Sequence, residues 1–162
     1  MGLAEELGLQ SRIDLQMGTL GKAAGGAGGY IACSNTLRNM IVNKGRSFIF
    51  TTAPPPSQAA VVTSALNLIA SAGGKEIRSR LNSNRKLLSE LIQQDIPSAI
   101  CPVIIGQNSD TLKASQRLRE VGYYVPAVRY PTVAKGSARL RVTLSALHDE
   151  DTIRELVHNL SL

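Results

Sequence analysis

Tryptophan is absent, aromatic residues make up only 4% of the chain, and there are two cysteines, Cys33 and Cys101. So few aromatics leave little on which single-stranded nucleic acid could stack. The cysteines stand far apart and form no C-x-x-C or Cys/His spacing, which argues against a structural zinc site or a disulfide framework. Both read as small buried apolar residues rather than nucleophiles, and no metal ligand set is expected. No apolar stretch approaches the ~20 residues of a membrane helix. The first residues carry Glu5 and Glu6 where a signal peptide would be basic and then apolar. Glu6 also stands where a myristoylation signal needs Ser or Thr. No membrane partner is expected, and the reducing cytoplasm is the expected location.

Charge is plentiful but unsegregated. The 18 Lys and Arg exceed the 12 Asp and Glu, for a net charge of +6, yet no basic run or tail emerges. A pI near 9.7 then reads as surface excess, and no nucleic-acid partner is expected. At 162 residues, 43% of them hydrophobic, the chain suits one globular domain, or a small domain plus a piece of another.

Six glycines fall between Gly18 and Gly29, among apolar Leu20, Tyr30 and Ile31 and a lone Lys22. This composition predicts two tight strands around a turn, where missing side chains admit backbone or a ligand. Asn35 to Lys44 reads as a short helix and Ser47 to Thr51 as a short buried strand. After Pro54-Pro55-Pro56, Ser57 is the expected N-cap of a helix running through Ile69, with Gly73-Gly74 ending it. Ile77, Leu81, Leu88, Leu91 and Ile92 then mark one face of a helix over Lys75 to Gln94. Strands are expected at Ile100 to Gly106, Tyr123 to Val128 and Arg139 to Leu144, with helices at Ser109 to Val121 and Asp149 to Leu160. That order predicts a small α/β layer from about Gly73 onward. Its expected interior is Ile77, Leu81, Leu88, Ile104, Leu118 and Val142, beside a first segment that exposes apolar surface.

Two motif readings of the glycine-rich stretch fail. Lys22 is followed by Ala23, not the Ser or Thr of a phosphate-binding P-loop. Gly26-Ala27-Gly28 has no third glycine in register for a dinucleotide fingerprint. What remains is Gly18-Thr19-Leu20-Gly21-Lys22. A lysine among such small residues would be partly desolvated, which lowers its pKa as Schiff-base formation requires. Thr19 offers a hydroxyl to a phosphate, and Gly21 leaves room for a flat ring. Spacing alone nonetheless favours a solvated lysine on a glycine-rich turn. Arg139 and Arg141 alternate with Leu140 and Val142, so both arginines share one strand face. His148 and His158 read as a helix cap and a helix surface.

The segment MGTLGKAAGGAGGYI closely resembles the cofactor-lysine motif of the α-oxoamine synthases, pyridoxal-phosphate enzymes that join an amino acid to an acyl-CoA. FIFTTAPPPSQ at Phe48 to Gln58 and VRYPTVAKGSARLRVTLSALH at Val128 to His148 match the same family in order and spacing. The resemblance implies an α/β fold, the C-terminal part of a fold-type I pyridoxal-phosphate-dependent transferase. Residues 1–72 would be a remnant of the cofactor-binding large domain, and 73–162 the small C-terminal domain. Lys22 would hold pyridoxal 5'-phosphate covalently and serve as acid and base at the substrate α-carbon. Thr19 would bind the phosphate, and Thr51 or Thr52 would reach the phosphate of the neighbouring subunit in a homodimer with shared sites. Arg141 would clamp the amino-acid carboxylate through its bidentate fork. Thr132 would contact substrate, with Arg129 as a second anion contact. Arg129 before Tyr130-Pro131-Thr132 favours the branch that joins L-alanine to a pimeloyl thioester, on CoA or a carrier protein, in biotin synthesis. The alternatives are the glycine-using branches and a non-catalytic partner subunit; the latter tends to lose the lysine that is present here. Ala134 replaces a proline usual in the family, which bears on the substrate-side loop. The family's ring-nitrogen aspartate, stacking histidine and second active-site histidine have no counterpart in this sequence. The isolated chain is therefore expected to be inactive.

Overall fold

The computed structural model describes residues 2–160. The chain divides into two compact units, Met1–Lys75 and Glu76–Leu162.

The first unit begins with α1 (Leu3–Glu6) and a 3-10 turn at Gln10–Arg12. The hairpin of β1 (Leu15–Thr19) and β2 (Gly29–Cys33) follows, with Leu15 opposite Cys33 and Thr19 opposite Gly29. This is the predicted pair of strands around a turn. Then come α2 (Asn35–Lys44), α3 (Arg46–Ile49) and α4 (Pro56–Ala70). Ser34 caps α2, its Oγ accepting from Leu37 N–H at 3.3 Å.

Three expectations fail in this unit. Ser47 to Thr51 is not a strand: residues 46–49 form the single helical turn α3, with Phe48 and Phe50 exposed. A short apolar run carries no periodicity that separates strand from helix. The N-cap of α4 is Pro55, with Pro56 in the first turn, where a missing N–H is tolerated. Gly73-Gly74 does not end α4 either. The break is one residue, Ser71, whose Oγ donates to Leu68 O at 2.7 Å and accepts from Gly74 N–H at 3.1 Å. The next helix, α5 (Ala72–Ile92), starts at once. A Cβ on Gly74 would strike the carbonyl oxygens of Leu68 and Ile69, so this glycine permits a close turn between helices.

The unit closes no core of its own. Among the described residues its buried apolar side chains are Ala24 and Val62, whereas Leu15, Met17, Tyr30, Ile31, Met40, Phe48 and Leu68 are exposed. An apolar groove of about 520 Å³ runs past Met17, Tyr30, Ile31, Ile41, Val42 and Phe48.

The second unit adds β3 (Ile100–Gly106), α6 (Asn108–Glu120), β4 (Ala127–Val128), β5 (Ala138–Thr143) and α7 (Glu150–Leu160) to α5. The strands form an antiparallel sheet in the order β3-β5-β4. Period two turns Cys101, Val103, Leu140 and Val142 inward. Thr111, Ala114 and Leu118 of α6 and Ile153, Leu156 and Leu160 of α7 recur at helical spacing to meet them. Leu88, Ile96, Val125 and Leu144 complete the core.

Leu88, Leu118 and Val142 are buried as expected, and Leu81 packs partly against the core. Ile104 and Ile77 are not inside, being 64% and 40% exposed. Ile104 lies on the outer sheet face opposite Arg139, one step out of phase with Val103. The strand expected over Tyr123 to Val128 shrinks to its last two residues, because only Ala127 and Val128 pair with β5.

Candidate functional site

Each unit gathers part of the expected set. In the first, Thr19 ends β1 and Lys22 follows three residues later on the β1–β2 loop. Leu20 N–H donates to Gly28 O (2.9 Å), Gly26 N–H to Leu20 O (2.8 Å) and Gly25 N–H to Lys22 O (2.9 Å), which closes a compact turn with Lys22 on it. Thr19 Oγ1 accepts from Gly21 N–H at 3.3 Å, which leaves its own proton free to donate. Lys22 is exposed, so the partial desolvation expected from its small neighbours is not provided: Gly and Ala leave the ammonium open to water instead of covering it. Thr51 and Thr52 lie exposed between α3 and α4, with Thr51 N–H donating to Phe48 O at 3.4 Å.

In the second unit, Arg139 and Arg141 share the outer face of the central strand β5, with Leu140 and Val142 on the inner face. Arg141 is opposite Pro102, and its N–H donates to Pro126 O at 3.0 Å. Arg141 is exposed; Arg139 is half-buried, its Nε donating to Ser137 O at 2.9 Å. Arg129 and Thr132 lie exposed on the loop after β4, where Val133 N–H donates to Arg129 O at 3.2 Å.

That loop has a support that carries no sequence pattern. Tyr130 N–H donates to Asn108 Oδ1 at 3.3 Å, which ties the loop to the start of α6. A second such residue is Asn84, buried in α5, whose Nδ2 donates to Ser145 O (3.0 Å) and His148 O (2.8 Å). A single Asn on a helix predicts neither contact. His148 precedes α7 and its Nδ1 accepts from Ser145 N–H at 3.2 Å, while His158 is exposed on the helix. Asp149 caps α7: its carboxylate accepts from Thr152 N–H at 2.8 Å, and these bonds to Thr152 hold its pKa below the usual aspartate value. Among the described residues no cluster of three His, Cys, Asp or Glu could hold a metal. No described helix is long and apolar enough to cross a membrane.

A hairpin bearing a lysine turn and a helix-backed antiparallel sheet bearing arginines define part of a pyridoxal-phosphate enzyme of fold type I. Residues 2–160 match the aminotransferase class I and II family, and the chain belongs to that family. Within it the similarity is to α-oxoamine synthases. The 8-amino-7-oxononanoate synthase of Geobacter sulfurreducens is 40% identical over 96% of this chain and 41% of its own length. That of Bordetella petrii is 44% identical over 91% of this chain and 39% of its own. A serine palmitoyltransferase from S. paucimobilis solved with a bound pyridoxal-phosphate aldimine superposes with a TM-score of 0.88 at 27% identity, covering 98% of this chain and 42% of that one. The chain thus spans about two fifths of the length of these relatives, and corresponds to their C-terminal part.

The family's cofactor is pyridoxal 5'-phosphate. It needs a primary amine for covalent attachment and hydroxyl or amide donors for its phosphate. The hairpin fits: Lys22 presents the amine and Thr19 a hydroxyl with a free proton, and even a Cβ added at Gly21 would meet only ordinary contacts, Gly26 O at 3.5 Å and Thr19 Oγ1 at 3.7 Å.

Proposed function

We propose that the chain is the C-terminal part of an enzyme that condenses L-alanine with a pimeloyl thioester, on CoA or a carrier protein. Carbon dioxide and the free thiol leave, and 8-amino-7-oxononanoate forms on the way to biotin. The observation that carries this reading is Lys22 held on a closed turn three residues after Thr19, in a chain 40–44% identical to synthases of that name. Residues 1–72 belong to the cofactor-binding domain and 73–162 to the small domain.

When bound, pyridoxal phosphate supplies the electron sink that makes the bonds at the substrate α-carbon breakable. The chain's own residues supply the rest. Lys22 Nζ would hold the cofactor, and it takes and returns the proton at the substrate α-carbon. Thr19 Oγ1 donates to the phosphate. Thr51 and Thr52 serve the phosphate of the second subunit in a cytoplasmic homodimer. Arg141 pairs with the alanine carboxylate, while Thr132 and Arg129 line the acyl side, with Arg129 meeting an anionic group of the donor.

The relatives' additional length carries the groups that hold the cofactor ring, so the chain alone binds cofactor weakly and does not turn over. The direct test joins the chain to the N-terminal portion of the Geobacter sulfurreducens relative and asks for growth of a biotin auxotroph. Rescue supports the reading. Rescue of a haem-precursor auxotroph without rescue of biotin growth would assign the chain to a glycine-using branch instead.

A further inference from the structure

The turn that carries Lys22 rests on α4, and the point of contact is a missing Cβ. Gly26 N–H donates to Leu20 O at 2.8 Å, and the adjoining Gly25 N–H donates to Lys22 O at 2.9 Å, so Gly26 is part of the turn that carries the lysine. A Cβ on Gly26 would overlap Val62 Cγ2 and stand 2.5 Å from Gln58 Nε2. Both of those side chains project from α4. Val62 is 7% exposed, one of two buried apolar side chains among the described residues of the unit. Its branched side chain has one strongly preferred rotamer in a helix, so it does not swing aside. Gln58 shows the same crowding: its Nε2 is buried without a hydrogen-bond partner, an arrangement that folded proteins seldom leave in place.

We propose that Val62 is a positioning residue for Lys22. It forms the floor on which the lysine turn sits, and position 26 is glycine because bare backbone must touch that floor. The proposal rests on Lys22 being the cofactor lysine. A methyl group at position 26 lifts the turn away from α4, and the two hydrogen bonds carry the displacement to Lys22 without any change in the lysine itself. Removing the two methyl groups of Val62 makes room for the added one. Sequence spacing hides this dependence, since Gly26 and Val62 lie on different elements.

The test uses the full chain combined with the N-terminal portion of the Geobacter sulfurreducens relative, with pyridoxal phosphate as the probe. Adducts are reduced with borohydride and mapped by peptide mass, and the labelling rate at Lys22 is taken relative to that at Lys44. Geometric misplacement of a reacting group costs up to about a hundred-fold, so Gly26→Ala should lower the ratio by at least about ten-fold. The double variant Gly26→Ala/Val62→Ala should bring it back to within about three-fold of the unmodified chain. Far-UV circular dichroism monitors folding. Should Gly26→Ala lose structure, Val62→Ala alone decides: it introduces no clash, and it should lower the ratio and speed exchange of the Gly26 amide. A native ratio in Gly26→Ala, a double variant as slow as the single one, or an unchanged ratio in Val62→Ala overturns the proposal. If the unmodified chain labels Lys22 no faster than Lys44, the assignment of the cofactor lysine falls, and the floor falls with it.

Discussion

Replacing Asn84 with leucine should cost the second unit more than any exposed substitution in the chain. Asn84 is 8% exposed, and both of its bonds come from Nδ2, to Ser145 O at 3.0 Å and His148 O at 2.8 Å. Those carbonyls belong to the turn between β5 and α7. Ser145 N–H donates to His148 Nδ1 and Leu147 N–H to Ser145 Oγ in the same turn, so three residues depend on one carboxamide. Leucine is of comparable size but has no donor. Each unpaired carbonyl costs about 1–3 kcal/mol when buried, and half-burial lets water recover part of that, so the loss should be about 2–4 kcal/mol. Against a total of roughly 5–15 kcal/mol this is a large fraction. At about 4–8 °C per kcal/mol it should lower the thermal midpoint by roughly 10–30 °C. Asn84→Asp should be worse at neutral pH, because it sets a carboxylate against two carbonyl oxygens, and should recover in acid, where protonation restores one donor. Urea unfolding followed by far-UV circular dichroism measures both variants. A loss below about 0.5 kcal/mol for Asn84→Leu would refute the reasoning, as would an Asn84→Asp chain as stable as the native one at neutral pH.

Three further outcomes follow from burial and capping. Leu88→Ala, at a fully buried position, should destabilise by about 2–5 kcal/mol, while Leu66→Ala, 45% exposed in the open first unit, should stay within about 0.5 kcal/mol by the same urea titration. Burial pushes the Cys101 thiol pKa up, so a thiol reagent should modify half-buried Cys33 in the native chain and reach Cys101 only on unfolding. Asp149 has a lowered pKa, so its cap is fully present above the ordinary aspartate value of about 3.9 and is lost as pH falls through the depressed value. Asp149→Asn should remove that acid-side loss while α7 remains capped, as amide exchange of Thr152 over pH 2 to 5 would report.

Much of this was legible in the chain because each signal was local. Ser34 before Asn35 and Gly45 after Lys44 bracket α2, and the alternation of Cys101 and Val103 with their outer neighbours marks β3. The lysine hairpin was readable from glycines flanked by apolar residues. What escaped depended on space rather than order. The double glycine at 73–74 looks like a helix stop, yet its second member, Gly74, is there so that the start of α5 can pass the carbonyls of Leu68 and Ile69. Ile104 is as apolar as Val103, and only the register of β3 on β5 puts it outside. Lys22 is exposed, as the spacing favours for a lysine on a glycine-rich turn, and its small neighbours do not desolvate it because a pocket needs walls from elsewhere in the fold. Asn84 and Asn108 work through partners more than twenty positions away, which no spacing rule reaches.

The central claim is that Lys22 anchors pyridoxal phosphate, and one comparison tests it most directly. The chain and its Lys22→Ala variant are each combined with the N-terminal portion of the Geobacter sulfurreducens relative, supplied with the cofactor, passed through gel filtration and reduced with borohydride. The unmodified chain should retain the cofactor absorbance, carry the added mass on the peptide containing Lys22, and release thiol from pimeloyl-CoA in the presence of alanine. The variant should do none of these. Retained cofactor and turnover in Lys22→Ala, or mass on a different lysine of the unmodified chain, would contradict the account.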